Sequence, residues 1–238
     1  MLKKVLLFFL FGALIFQAAQ AQKVTPRLLH ADSLFETGRP EQAYPLYRRV
    51  REQDGVQSAQ QLLRMAYTQE GLGHYPAALY YLSLAQAWQP RHTTWEKMVD
   101  IAQQHRLTGY PNTWRQNLAI TVQRYYYRLL QVLLALAVAG GTLLLVRRRT
   151  ADRAWWAMYA TYLLVLGLFL NLLGPGRVGL VSRPRAPLMA GPSAGSAWLT
   201  TAAAGDRFEV QGQHDIWYRV QWQGRDAYIR RPDLLLVE

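Results

Sequence analysis

Few residues in this chain could do chemistry, and their spacing argues against most uses of them. There is no cysteine, so a thiol nucleophile, a cysteine-ligated zinc, an iron–sulfur cluster and a disulfide framework are excluded. Gly191-Pro192-Ser193-Ala194-Gly195 fits the G-x-S-x-G pattern of a nucleophilic serine, and Asp206 and His214 follow in the order of an acid and a base. That motif needs a strand before the serine, a helix after it and a large α/β sheet beneath. Here a proline precedes the serine, no helical pattern follows, and the surrounding segment is one of short strands. His30, His74, His92, His105 and His214 show neither H-x3-H nor H-E-x-x-H spacing. Solvated surface is the expectation for each, and no metal or other cofactor is expected. Walker-type and dinucleotide-binding glycine loops are also missing from the sequence. The chain reads as a non-enzyme, which leaves recognition by aromatic and charged faces.

What positions those faces is set by the apolar patterning of the 238 residues, 51% of them hydrophobic. Lys3 and Lys4 precede an apolar run from Val5 to Phe16, followed by Ala19-Gln20-Ala21. A charged start, a short apolar core and small residues at the end form a secretory signal peptide over 1–21. An uncleaved anchor is the alternative, and both export residue 22 onward. Two longer stretches, 129–146 and 155–173, suit transmembrane helices. Tyr125, Tyr126 and Tyr127 flank the first, and Trp155, Trp156 and Tyr159 open the second, as interfacial aromatics do. Ala135, Ala137, Ala139, Gly140 and Gly141 would let the two helices pack closely. A pair of buried helices in a soluble core is the competing reading.

Between them, 147–154 contains Arg147, Arg148, Arg149 and Arg153 in a short turn that the positive-inside rule places in the cytoplasm. A signal peptide and a hairpin with a cytoplasmic loop agree: residues 22–128 and 174–238 face the same exported compartment. The formal charge of +12, from 27 basic and 15 acidic residues, is spread over these parts. No segment has the concentrated basic stripe of a nucleic-acid footprint, so no nucleic-acid partner is expected.

The exported N-terminal part repeats itself after 35 residues. Ala31, Gly38, Ala43, Tyr47 and Val50 align with Ala66, Gly73, Ala78, Leu82 and Ala85, and Pro90 follows the second copy. On these residues the segment resembles the tetratricopeptide family, whose period is about 34. Glycine stands at the turn between two helices, and small residues stand where the helices cross. Two repeats are fewer than a stable stack usually needs. Trp95, Met98, Val99 and Ala102 recur at helical spacing and predict a capping helix from Thr94 to Leu107. Gly109-Tyr110-Pro111-Asn112 then breaks the chain before a stem, 112–128, that runs into the first membrane helix. The resemblance implies a ligand-holding concave face displaying Leu28, Asp32 and Phe35 from the first repeat and Leu63, Tyr67 and Glu70 from the second. Packing against a neighbouring helix is the alternative role for each.

Beyond Gly174-Pro175-Gly176, residues 174–185 read as an extended linker. Five short strands are expected at 187–190, 207–212, 216–222, 226–230 and 234–237. The clearest has Ile216, Tyr218, Val220 and Trp222 alternating with Trp217, Arg219 and Gln221. Gln223-Gly224 fits a two-residue hairpin turn. Leu188–Ser193, Ala204–Val210, Trp217–Val220 and Tyr228–Leu234 resemble strands and turns of the bacterial SH3 family, over 186–238. That family binds peptides, cell-wall fragments or other domains. Trp217, Tyr218 and Tyr228 are the candidate recognition aromatics, with a core role the alternative for each.

The expected fold is thus a multidomain membrane protein. It has an all-α tetratricopeptide-like region over 22–111, a transmembrane helical hairpin and a small all-β SH3-like barrel. The order of the parts resembles the BatE proteins of Bacteroidetes aerotolerance operons. That resemblance implies an inner-membrane scaffold whose partners are other envelope proteins, including ones with von Willebrand A-type domains. An envelope sensor whose SH3-like domain binds peptidoglycan is the alternative.

Overall fold

The computed structural model describes residues 25–147, 152–172 and 176–237. The signal peptide expected over 1–21 and residues 148–151 of the basic turn expected over 147–154 lie outside the described residues. The described chain combines helices with a seven-stranded antiparallel sheet.

Helices α1 (Pro26–Glu36), α2 (Pro40–Gln53), α3 (Ala59–Gly71) and α4 (Tyr75–Trp88) form two antiparallel pairs. The first helix of each pair is started and closed by the same devices. The Thr25 and Ser58 hydroxyls accept the amides of Leu28 and Gln61 at 3.2 and 3.1 Å, capping α1 and α3. Both helices end in a left-handed residue, Gly38 (φ +77°) and Gly73 (φ +75°). The next amides, of Arg39 and His74, reach back to Leu34 and Gln69 at 2.9 Å, a Schellman closure that favours glycine. Ala31, Ala43 and Val50 are buried, and so are their counterparts Ala66, Ala78 and Ala85. The 35-residue recurrence in the sequence is therefore a recurrence in structure.

A further helix, α5 (His92–Gln104), lies against α4 with Trp95, Met98, Val99 and Ala102 buried, as the helical spacing predicts. It ends with the same closure, Leu107 N–H to the Ala102 carbonyl at 2.8 Å, but with Arg106 at the left-handed position. Among the described residues, no helix pairs with α5 as α2 and α4 pair with theirs. The chain turns away through Leu107–Tyr110 and enters α6 (Trp114–Val146), one continuous helix of 33 residues. Stem and apolar stretch are thus a single element. The stem is docked: Ile120 is buried in the helical core, and His92 meets Thr121 at 3.2 Å.

The apolar part of α6 and the following α7 (Arg153–Leu172) are each long and apolar enough to cross a membrane, and little of either is covered by the rest of the chain. They pack through small residues and tyrosines. The Tyr159 hydroxyl donates to the Ala137 carbonyl at 2.8 Å, and that of Tyr162 to Leu133 at 2.6 Å. A Cβ on Gly141 would lie 2.6 Å from the Tyr159 hydroxyl. Glycine therefore admits the ring, the close packing expected of small residues between membrane helices.

The sheet comprises β1 (Arg177–Val181), β2 (Ala186–Met189), β3 (Trp198–Ala202), β4 (Arg207–His214), β5 (Trp217–Trp222), β6 (Arg225–Arg230) and β7 (Leu234–Val237). Its order is β3-β2-β6-β5-β4-β1-β7, every pairing antiparallel. Side chains from all seven strands meet in one cluster, so the sheet curls around its own core. The five expected strands are β2 and β4 to β7. Gln223 (φ +48°) and Gly224 (φ +76°) make the two-residue turn between β5 and β6. The reading of 174–185 as linker needs correction: β1 lies within it, paired with both β4 and β7. Gly179 weakens the strand pattern, yet a Cβ there would sit 2.5 Å from Leu234 Cδ2, so the position requires glycine for packing. Strand β3 was also not anticipated.

The helical region and the sheet share an interior. Leu180 of β1 belongs to the helical core, and Val237 of β7 packs against it. The turn before β4 meets the turn after α5. Asp206 is buried and accepts the Thr108 and Ala203 amides, each at 2.7 Å. The Arg207 amide donates to the Thr108 carbonyl at 3.1 Å, and the Tyr110 hydroxyl to the Gly205 carbonyl at 2.7 Å.

Gly109 (φ +90°) lies so close that a Cβ would overlap the Arg207 carbonyl. Gly38 is equally left-handed but has open space around it. Gly109→Ala is expected to cost about 3 kcal/mol or more, against about 1 kcal/mol for Gly38→Ala. Unfolding of the two variants, followed by circular dichroism in detergent, checks that ranking.

Candidate functional site

Helices α1, α3 and α5 run side by side and expose one face. The contacts across it join residues about one repeat apart. Phe35 of α1 meets Tyr67 of α3 edge-on, with ring centroids 5.8 Å apart. Glu70 of α3 pairs with Lys97 of α5 at 2.6 Å. At the centre lies Arg64 of α3, which the sequence reading passed over. Its guanidinium donates to Asp32, to Glu36 at 3.0 Å and to the Tyr47 hydroxyl at 3.1 Å. It also lies 5.1 Å from the centre of the Phe35 ring. Tyr47 in turn donates to Asp32 at 2.7 Å.

Two electrostatic consequences follow. The Tyr47 hydroxyl is pushed up, first by burial and then by the Asp32 carboxylate it bonds, so it stays a proton donor. Burial alone would lower Arg64, but Tyr47, Glu36 and Asp32 together outweigh it and raise the guanidinium above its ordinary value. The arrangement is a fixed cation held by two carboxylates, with aromatic rings beside it. Tyr67 is the exposed ring of this arrangement.

The six residues expected on this face take different roles. Leu28 is buried inside the first helix pair and does not line it. Asp32 and Glu70 are engaged in ion pairs with Arg64 and Lys97. Phe35 and Leu63 are half-buried, while Tyr67 is 64% exposed and lies open to a partner. Arg64 stands three positions before Tyr67, and the i, i+3 spacing places both on one helix face. Lys97 follows Glu70 from a helix read as a cap, so its place in the row was not visible.

The aromatic surface expected on the sheet is largely interior. Trp217 is 4% exposed and Tyr218 is also buried, with the Arg230 and Arg231 guanidiniums 5.3 and 6.0 Å from their ring centres. Consecutive strand residues point to opposite faces, so both faces of β5 are covered at this point. The alternation held for Tyr218 and Val220 but not for Ile216, which is half exposed. Tyr228 is half-buried, opposite Met189 of β2 and Arg219 of β5. An exposed ring the sequence reading overlooked is Trp198, on edge strand β3.

The serine motif lies in the turn between β2 and β3, with no helix after it. Ser193 Oγ accepts the Gly195 amide of its own turn at 3.2 Å. Asp206 spends both carboxylate oxygens on the amides that join sheet to helices, and His214 is exposed at the end of β4. These groups serve structure or solvent. At the same junction Arg207 lies over the Trp95 ring at 5.1 Å, and burial pulls its guanidinium below the ordinary value. Burial likewise pushes the Tyr110 hydroxyl up, so it remains a donor to Gly205. Among the described residues, no group of three or more metal-binding side chains is placed to hold an ion.

No family model matches the sequence, and no curated protein and no solved structure is found to be similar to it.

Arg64→Ala is expected to cost about 2 kcal/mol, because it leaves the partly buried Asp32 carboxylate without its cation, with the Tyr47 hydroxyl still donating to it. Tyr67→Ala should leave stability within about 0.5 kcal/mol. Denaturant unfolding of both variants tests whether Arg64 builds the face while Tyr67 is spare for binding.

Proposed function

We propose that this chain is a non-enzymatic scaffold, held in a bacterial inner membrane by the α6–α7 hairpin and presenting two interaction modules on the periplasmic side. The helical module is read as tetratricopeptide-like and the sheet as SH3-like. Support for the first is the pair of equivalent helix hairpins, with a fifth helix continuing their first-helix row. Support for the second is the small curled sheet and the turn made by Gln223 and Gly224. The whole is a BatE-like subunit of an envelope complex.

One observation carries the reading: the face shared by α1, α3 and α5, built around Arg64 and leaving Tyr67 exposed. A face whose charged groups are already paired and whose Tyr67 ring is largely exposed favours docking of a protein segment. The membrane assignment draws on the apolar surface of α6 and α7, which the rest of the chain leaves bare. Both modules lie at one end of the hairpin, because the turn after α5 bonds the turn before β4. Those bonds support placing the two modules on one side of the membrane.

The absence of cysteine makes topology simple to test. Single substitutions Thr37→Cys, Ser193→Cys and Thr150→Cys are labelled in whole cells whose outer membrane has been permeabilised, using a membrane-impermeant maleimide. Labelling at 37 and 193, with 150 reached only after lysis, is the expected pattern. Labelling of 150 alone would reverse the orientation.

The interaction itself is read by placing a photo-cross-linking amino acid at position 67 in the full chain and irradiating native membranes. Adducts to a small number of specific envelope proteins are expected, and an equivalent probe at Thr37 should give none of them. Recovery of wall fragments alone, dependent on 186–238, would favour the peptidoglycan-binding sensor instead.

A further inference from the structure

A cavity of about 400 Å³ lies where both modules meet the base of the hairpin. Ser83 and Gln86 of α4, Trp95 of α5, Arg124 and Arg128 of α6, and Arg207 of β4 contribute to its wall. The described lining includes those three arginines and no carboxylate. Among the described residues, none of the three is in an ion pair. Two buried polar atoms on the same wall, Ser83 Oγ and Gln86 Nε2, have no hydrogen-bond partner among the described residues. Ser83 itself is only 5% exposed.

These facts share one chemistry. A buried hydroxyl left unpaired costs about 1–3 kcal/mol. Arg207 is half-buried and donates to the Gly109 carbonyl at 3.3 Å, while Arg124 and Arg128 bring two exposed positive charges to the rim. Guanidinium groups, an amide NH2 and a hydroxyl can all donate, so this wall suits an acceptor-rich anion. Position narrows it further. Arg124 and Arg128 immediately precede the apolar stretch of α6, Tyr125 and Tyr126 line the cavity at the same level, and exposed Leu129, Val132 and Leu136 follow. An anion that brings its own apolar tail satisfies both the cavity and that surface. We propose that the cavity holds the phosphate headgroup of an anionic phospholipid, whose acyl chains lie along α6. The lipid would then contact both modules and the hairpin at once. This inference rests on the membrane reading of α6 and α7.

The test uses the full chain, purified in detergent, with phosphatidylglycerol or phosphatidylcholine added and retained lipid counted by native mass spectrometry. Phosphatidylglycerol should be retained about tenfold better, and Arg124→Gln/Arg128→Gln should remove the preference. Both arginines are exposed, and circular dichroism melting confirms that the variant folds. Ser83→Ala keeps every charge and removes an unpaired hydroxyl, so stability should hold while retention falls several-fold. Equal retention of the two lipids overturns the proposal. A preference unchanged by Ser83→Ala also overturns it, because the lipid would then sit on surface arginines outside the cavity. Displacement by millimolar inorganic phosphate would assign the site to a soluble anion and exclude the lipid. Alkaline carbonate extraction separates the two failures. Release of the protein from membranes defeats the membrane reading, whereas an integrated protein without lipid preference defeats this inference alone.

Discussion

The docking of the turn before β4 onto the turn after α5 is the constraint on which the rest of the structure depends. Two helix hairpins and one extra helix leave an apolar flank on α4 and α5 that a third hairpin would ordinarily cover. Here the sheet covers it. Leu180 enters the helical core, and burying one such side chain contributes about 1.5–3 kcal/mol. Burial alone does not fix an orientation, and Asp206 supplies that. Its two oxygens each take one backbone amide, one from the helical turn and one from its own, while the Tyr110 hydroxyl returns a bond to Gly205. Charge-assisted bonds of this kind are directional and strong. A short helical array and a small sheet, each marginal by size, complete one another.

That arrangement changes how the two modules could cooperate. Flexible tethering would raise effective concentration only as far as the linkers allow both sites to engage. A shared core removes the linker from the problem. The open face of α1, α3 and α5 and the exposed surfaces of the sheet have a set spacing, and a partner spanning both would meet them without ordering a linker. The docked stem extends the same logic to the hairpin, since Ile120 is held in the helical core.

How much of this was legible from residues varies with the kind of signal. The repeat was readable because left-handed turns select glycine and close crossings select alanine, and those choices recur at Gly38 and Gly73 and at Ala43 and Ala78. The hairpin helices were readable because composition over about 20 residues is a coarse property. Strand β1 was not, since Arg177-Val178-Gly179-Leu180-Val181 follows a glycine-proline break and includes a glycine whose reason is Leu234, far along the chain. Trp217 and Tyr218 looked equally eligible for a surface, because alternation assigns one neighbour outward unless something covers the outer face. Arg64 failed for a related reason: a lone arginine carries no pattern, and its role exists only once Asp32, Glu36 and Tyr47 converge on it.

The same limit explains why Asp206 was first weighed as part of a catalytic constellation. In sequence it is an acid between a serine and a histidine. In space its carboxylate accepts two amides on opposite sides of a junction, while Ser193 lies in the turn between β2 and β3 and His214 at the end of β4. Among the described residues no hydrogen bond joins Asp206 to His214; the fold turns its carboxylate to the Thr108 and Ala203 amides instead. The chemistry of the residue is unchanged; what decides its function is which donors the fold brings to it. By that criterion the chain spends its buried ionisable groups on holding modules in place. The arginines around the cavity at the hairpin's base differ in forming no ion pair among the described residues.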